Sequence, residues 1–171
     1  MSIMSLRTIL HYPNPKLRFK AEEVVDISAE IGVLIDDMFE TMYEDNGVGL
    51  AATQIGILYR IAVMDVSENK NQPIVLINPK IIETSASKKK GPEGCLSVPG
   101  IMEKVERAEI VKVKALDRDG KEIEIEADDL LAVCIQHELD HLDGTLFIDH
   151  LSPLKKQLIK KKLKKLHKSN L

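Results

Sequence analysis

The chain has 171 residues, 24 Lys and Arg against 27 Asp and Glu, 44% hydrophobic residues and two cysteines. This suits one domain with a single core, and no apolar run reaches the ~20 residues that a membrane helix needs. Two cysteines make no disulfide framework and fit a reducing cytoplasm, and the stretch Met1 to Leu10 lacks the apolar run and small-residue cleavage site of a secretory signal.

In chain order, Ser28 is a good N-cap, and Ile31, Leu34, Ile35, Met38 and Met42 follow at helical spacing. Asn46-Gly47 supplies a stop, so residues 29–45 read as an amphipathic helix. Gly47-Val48-Gly49-Leu50-Ala51-Ala52-Thr53-Gln54 is next, rich in small residues. Ile- and Val-rich stretches at 57–66, 74–78 and 80–84 predict strands. Residues 91–100, from Gly91-Pro92 to Pro99-Gly100, suit a tight loop. Residues 109–126 predict a hairpin turning at Asp117-Arg118-Asp119-Gly120. The stretch 128–142 is a helix, apolar nearly all round from Leu130 to Ile135, which implies burial against the strands. Ser152-Pro153 opens a last helix. Eight lysines and no acid fall in residues 150–171, leaving 16 basic residues against all 27 acidic ones in the rest.

The helix at 128–142 ends in His137-Glu138-Leu139-Asp140-His141. Two imidazoles one turn apart on one face can grip a single metal ion, with Glu138 beside them. His137, Glu138, His141 and Gly144 match the start of the pattern HExxHxxGxxH, but Phe147 stands where that pattern needs its last histidine. No Glu follows Glu138, and downstream only Asp143, Asp149, His150 and His167 remain as conceivable ligands, so a ligand from upstream is expected. Cys134 lies seven residues before His141, about 10 Å along a helix axis, too far for one ion with bonds of ~2.0 to 2.3 Å to both. Cys95, in a Gly- and Pro-rich segment, can be brought up to the helix. Cys95, His137 and His141 leave one tetrahedral position open for water, as catalytic sites do. A closed structural zinc site or a core hydrogen-bond network would also satisfy buried histidines, but neither needs a carboxylate beside the ligands, whereas Glu138 can accept and return a proton. Gly47 to Gln54 read alone is a helix C-cap with a packed turn. Beside a ligand, its small residues allow close backbone approach, and the Gln54 amide can donate to a developing oxyanion.

Three segments in this order, Gly47-Val48-Gly49-Leu50-Ala51-Ala52-Thr53-Gln54, Glu93-Gly94-Cys95-Leu96-Ser97 and Gln136-His137-Glu138-Leu139-Asp140-His141, resemble the three signature motifs of the peptide deformylases. The likeness runs from Ile9-Leu10-His11-Tyr12-Pro13 to Leu151-Ser152-Pro153-Leu154. It implies hydrolytic removal of the formyl group from formyl-methionyl nascent polypeptides, with release of formate. By resemblance Cys95, His137 and His141 are the metal ligands and Glu138 the general base and acid. The Gln54 side chain and the Leu96 backbone N–H stabilise the oxyanion, Val48 and Gly49 pair with the peptide backbone, and Leu130, Val133 and Cys134 line the methionine pocket. The usual family metal is Fe(II), with zinc, nickel or cobalt able to take the site. Many bacterial members carry an arginine contacting the peptide where this chain has Met102, and Arg107 lies too far along to replace it. Similar C-terminal helices dock near the ribosomal exit tunnel, which implies a ribosome partner for the lysine-rich helix.

The expected architecture is α+β, a single domain with antiparallel or mixed strands packed around a central metal-binding helix, plus a C-terminal helix. Residues 1–152 form the catalytic body and 153–171 the basic helix attached to it, in a monomeric cytoplasmic protein. In that helix Leu154 and Leu158 fall on one side and Ile159, Leu163 and Leu166 on another, and its first turns are expected to dock. A metallopeptidase is disfavoured by the missing downstream ligand, and a non-catalytic ribosome-binding relative by the presence of both Glu138 and Gln54.

Overall fold

The computed structural model describes residues 5–169, so the ends of the expected body and tail and part of Met1 to Leu10 lie outside the described residues. In chain order it contains α1 (Ala29–Glu44), β1 (Gly49–Ala51), β2 (Ile61–Met64), β3 (Ile74–Thr84), β4 (Lys88–Cys95), β5 (Val98–Ala108), β6 (Val111–Leu116), β7 (Glu122–Ala127), α2 (Asp129–Leu142) and α3 (Pro153–Ser169). The class is α+β as expected, and every strand pair is antiparallel. Five strands make one sheet in the order β1-β2-β3-β6-β7, and β4 and β5 form a separate two-stranded sheet.

Helices lie on both faces of the five-stranded sheet. Ile61 and Val63 of β2 join Leu34, Ile35, Met38 and Met42 of α1 in one cluster, while Ala62 and Met64 join Ala132, Ile135 and Leu139 of α2 in another. Successive side chains of a strand point to opposite faces, so a strand covered on both sides must be apolar throughout, and all four residues of β2 are buried. Helix α1 buries the residues its spacing predicted. Ser28 starts it through its carbonyl, which accepts from Ile31 and Gly32, and its side chain makes no cap bond. Asn46, not Gly47, takes the left-handed turn after the helix, at φ 57°.

The segment expected to be a loop at 91–100 is a hairpin instead: Lys88–Cys95 pairs with Val98–Ala108 across Leu96 and Ser97. Proline has no N–H to give a central ladder, but a two-stranded sheet has an outer edge that tolerates Pro92. Strands expected at 74–78 and 80–84 are one strand, β3, whose register jumps between Ile77 and Lys80. Asn78 bulges there at φ 52°, and its side chain holds both the N–H and the C=O of Val24, at 2.8 and 2.9 Å. The stretch expected at 57–66 is a strand only over Ile61–Met64, with Tyr59 before it in an isolated bridge to Glu22, and the hairpin turning at 117–120 forms as predicted.

Two further expectations are corrected. Helix α2 is not buried all round, because Leu130 is 51% exposed. In α3 it is Ile159 and Leu163 that join the cluster of Leu17, Val98, Ile101, Val105 and Phe147, while Leu154 and Leu158 of the first turns are exposed. An ion pair from Lys155 to Glu103 at 3.2 Å ties the start of α3 to β5. Among the described residues no helix is long and apolar enough to cross a membrane.

Candidate active site

Helix α2 presents His137 and His141 on one face, and the end of β4 brings Cys95 to them. One donor atom from each of the three lies within 4.8 Å of the others. The His141 Nε2 is 3.2 Å from Cys95 Sγ and 3.2 Å from His137 Nε2. Ligand atoms around one tetrahedral ion with bonds of ~2.0 to 2.3 Å stand about 3.3 to 3.6 Å apart, so His141 lies within a few tenths of that spacing from each of the other two. The tautomer of His137 follows from its partner: Glu93 Oε1, 3.0 Å from Nδ1, only accepts, so Nδ1 donates and Nε2 turns its lone pair into the cluster. Burial and the neighbouring His137 push the His141 pKa well below its ordinary value, which keeps this ring neutral as a ligand must be. Cys134 stands apart, its thiol directed at the Val48 carbonyl at 3.7 Å and its pKa pushed well up by burial.

Electrostatically the cluster asks for a cation. Burial alone would lower the His137 pKa, but hydrogen bonds to Cys95 and Glu93 and the charge of Glu138 outweigh it and raise it to about 10. A positive charge is therefore favoured where the three donors converge, and a divalent ion supplies one without a proton. Glu138 sits beside them, Oε1 3.8 Å from His137 Nε2, and its buried Oε2 has no hydrogen-bond partner. Burial raises its pKa to about 7, with the charge of Glu93 adding to the rise and that of His137 opposing it. A carboxyl poised near neutrality can both take and give a proton.

These groups line a cleft of about 800 Å³, together with Val48, Gly49, Gln54, Leu96, Leu130, Val133 and Cys134. His141 is not part of the lining; it is 1% exposed behind the other ligands. Leu130, half exposed, is among these lining residues. Gln54 is held at both ends: Oε1 accepts from the Ala51 N–H at 2.9 Å, which turns Nε2 to Ser97 Oγ at 3.0 Å and to within 3.4 Å of Cys95 Sγ. A Cβ on Gly49 would fall 2.7 Å from Cys134 Sγ and 3.0 Å from Glu138 Cγ, so the tight approach of β1 to α2 requires glycine.

A family model for polypeptide deformylases matches residues 6–157. The chain belongs to the polypeptide deformylase family. It is 48% identical to a peptide deformylase from Legionella pneumophila, covering 97% of this chain and 98% of that one with a TM-score of 0.93. A peptide deformylase from Ehrlichia chaffeensis in complex with actinonin is 43% identical over 95% of this chain and 98% of that one, with a TM-score of 0.91. One from Thermotoga maritima is 41% identical over 87% and 99%, with a TM-score of 0.83. The activity is accordingly hydrolytic removal of the N-formyl group from nascent peptides.

Behind the ligands of this deformylase lies a chain of polar side chains that no local sequence pattern announces. Both Glu93 oxygens are gripped by Arg107, through Nε at 2.8 Å and Nη2 at 2.9 Å, and Arg107 Nη1 reaches Asp140 Oδ2 at 2.7 Å. Burial would raise the Glu93 pKa, but the Arg107 and His137 bonds and charges more than offset it and bring it to about 2. Arg107, too far along the chain to replace the peptide-contacting arginine of other members, is 6% exposed and belongs to this scaffold. Gln136 clips the same region together, exchanging bonds with the backbone N–H and C=O of Ala108 at 3.1 and 3.0 Å. Of the unassigned histidines, His150 touches Asp140 at 2.9 Å, His11 lines the cleft and His167 is exposed. Met102 also lines the cleft, 64% exposed, so no arginine takes its place on that wall.

Proposed function

We propose that deformylation runs on Cys95, His137 and His141 as ligands of one divalent ion, with Glu138 moving the proton. The observation that carries this reading is the convergence of three donors beside a buried carboxylate oxygen that has no other partner. Bound there, a divalent ion supplies Lewis acidity, making a water acidic near neutral pH and polarising a carbonyl oxygen. Glu138 takes the proton of the water that attacks the formyl carbon. It then returns that proton to the amide nitrogen as the C–N bond breaks, leaving formate and a free amine. The Gln54 amide, already turned toward Cys95, and the Leu96 backbone N–H donate to the oxyanion that forms between these steps.

Substrate is held by backbone and apolar contact. Strand β1 ends its sheet, so an extended peptide can add along its outer edge at Val48 and Gly49. The Val48 carbonyl already accepts from Asp65 N–H at 2.8 Å, so pairing falls to the remaining backbone groups. Leu130, Val133 and Cys134 form the wall for the methionine side chain. Fe(II) is the metal this reading favours, with zinc, nickel and cobalt as substitutes for the same donors. The protein acts as a cytoplasmic monomer, a catalytic body of residues 1–152 with the helix of 153–171 attached and turned to the ribosome. Release of formate from formyl-Met-Ala-Ser by protein purified anaerobically with Fe(II), with metal content measured alongside, tests the reading. Turnover that persists after complete metal removal would overturn it.

A further inference from the structure

The polar chain behind the ligands does not end at Asp140. Asp140 Oδ2 accepts Arg107 Nη1 at 2.7 Å and also faces His150 Nε2 at 2.9 Å. A carboxylate only accepts, so His150 is the donor, and two donors from different elements share one oxygen. The series from His137 through Glu93, Arg107 and Asp140 to His150 is continuous, and every link is 3.0 Å or shorter.

Exposure changes along the series. Glu93 and Arg107 are 5% and 6% exposed, so their mutual grip is shielded from water. The Asp140 side chain is 28% exposed and that of His150 39%. Water therefore competes for Asp140, and His150 is the second donor, beside Arg107, that holds its Oδ2 in place. His150 ends the short 3-10 turn Phe147–His150, and the Phe147 ring of that turn stacks on His137 at 6.0 Å between centroids. One turn thus reaches the same ligand twice, directly through Phe147 and through the series from His150. Arg107, Asp140 and His150 line a cavity of about 570 Å³ and are absent from the lining of the substrate cleft.

We propose that His150 is a positioning residue for the metal centre: its hydrogen bond fixes Asp140, which with Glu93 holds the Arg107 guanidinium at both ends, which sets the orientation of His137 and the grip of the ligand set on its ion. The proposal rests on the ligand assignment made above. Without the His150 bond, Asp140 is held by Arg107 alone and competes with water for it, so the guanidinium that grips the Glu93 carboxylate, and through it the His137 Nδ1–H, is less firmly fixed at its far end. Groups that orient a ligand directly alter metal affinity by roughly 10- to 100-fold, and a bond three steps further out falls at the lower end.

The test compares His150→Phe, which keeps a ring of similar size and lacks the donor, with His150→Gln, which restores an N–H donor. Ni(II) affinity is read by chelator competition, the Co(II) absorption spectrum of each protein is recorded, and thermal unfolding is followed without metal. Expected are Ni(II) binding about tenfold weaker in His150→Phe and within about twofold of wild type in His150→Gln. The Co(II) bands should shift in the Phe variant alone, with unchanged KM for formyl-Met-Ala-Ser in both. Ni(II) affinity in His150→Phe equal to wild type overturns the relay and leaves the ligand assignment standing. Equal loss of affinity in both variants, matched by equal loss of metal-free stability, overturns it in favour of packing. Wild-type protein that takes up no Ni(II) overturns the ligand assignment and the relay together.

Discussion

Helices α2 and α3 are nearly the same length, 14 and 17 residues, and use polar side chains in opposite ways. Along α2, Gln136, His137, Glu138, Asp140 and His141 are buried or half-buried, and most find partners on β4, β5 or the turn after α2. Along α3, Lys160, Lys161, Lys162, Lys164, Lys165 and Lys168 are exposed, and Ile159 and Leu163 reach the core. A buried polar group without a partner costs a few kcal/mol, so in α2 each position is tied to a particular neighbour and a change there is felt at once. In α3 these six lysines are solvated, and any specific role for them must come from a surface outside the chain.

The sharpest break in this contrast is Glu138→Ala. Loss of the proton carrier should lower kcat by about 10²- to 10⁴-fold while metal content is retained. Cys95→Ala and His137→Ala should lose metal and activity together. Metal analysis beside kinetics separates the two classes, and full metal loading of Cys95→Ala at unchanged affinity would remove Cys95 from the ligand set. Gln54→Ala comes next. Losing one oxyanion donor should reduce kcat by about 10²- to 10³-fold with little change in KM. A rise in KM at constant kcat would make Gln54 a ground-state contact instead.

Arg107→Leu carries the contrast from chemistry to stability. It leaves the Glu93 charge buried and without its main partner, a change that typically costs about 3 to 5 kcal/mol, close to what a domain can lose before it unfolds. The same ion pair sets an acid limit. The folded Glu93 pKa is lowered from 4.5 to about 2, so its contribution is fully present above 4.5 and is lost as pH falls toward 2. Urea midpoints measured between pH 5 and pH 3 should fall in the wild type, and the share owed to Glu93 should be missing in Arg107→Leu. Parallel falls in the two proteins would show that other carboxylates set the acid limit.

What is legible in the sequence follows the same division. His137, Glu138 and His141 stand within one turn of each other, and the apolar spacing of α1 and the turn residues at 117–120 are local patterns, so all are readable. The strands β4 and β5 are not, because Gly91, Pro92 and Gly94 carry loop chemistry and the pairing that overrides it lies across the hairpin. Arg107 is hidden for a related reason. Its partners Glu93 and Asp140 are 14 and 33 residues away, and nothing in its neighbourhood shows that β5 turns it inward. The fully apolar β2 reads as a strand, but its cover on both faces comes only with the helices in place.

The smallest effect on chemistry is expected from α3, and there the packing of the helix dictates the choice of variant. Removing residues 159–171 would take away Ile159, which is 4% exposed, and would mix a packing loss with a charge loss. Ile159→Ala alone should cost roughly 2 kcal/mol or more of stability, read by urea unfolding, with the basic surface intact. Replacing the six exposed lysines between 160 and 168 by Gln keeps Ile159 and Leu163 and removes only charge. That variant should hydrolyse short formyl peptides within about twofold of wild type, since a Debye length of ~8 Å screens these lysines from any group not close by. If the helix meets ribosomal RNA, log affinity for ribosomes should depend less steeply on log salt, by about 0.7 to 0.9 for each phosphate that the helix no longer neutralises. Co-sedimentation over a salt series measures that slope directly. Identical slopes for the two proteins would make these lysines a solubilising surface and leave α3 with its packing on the body, through Ile159 and Leu163, as its role.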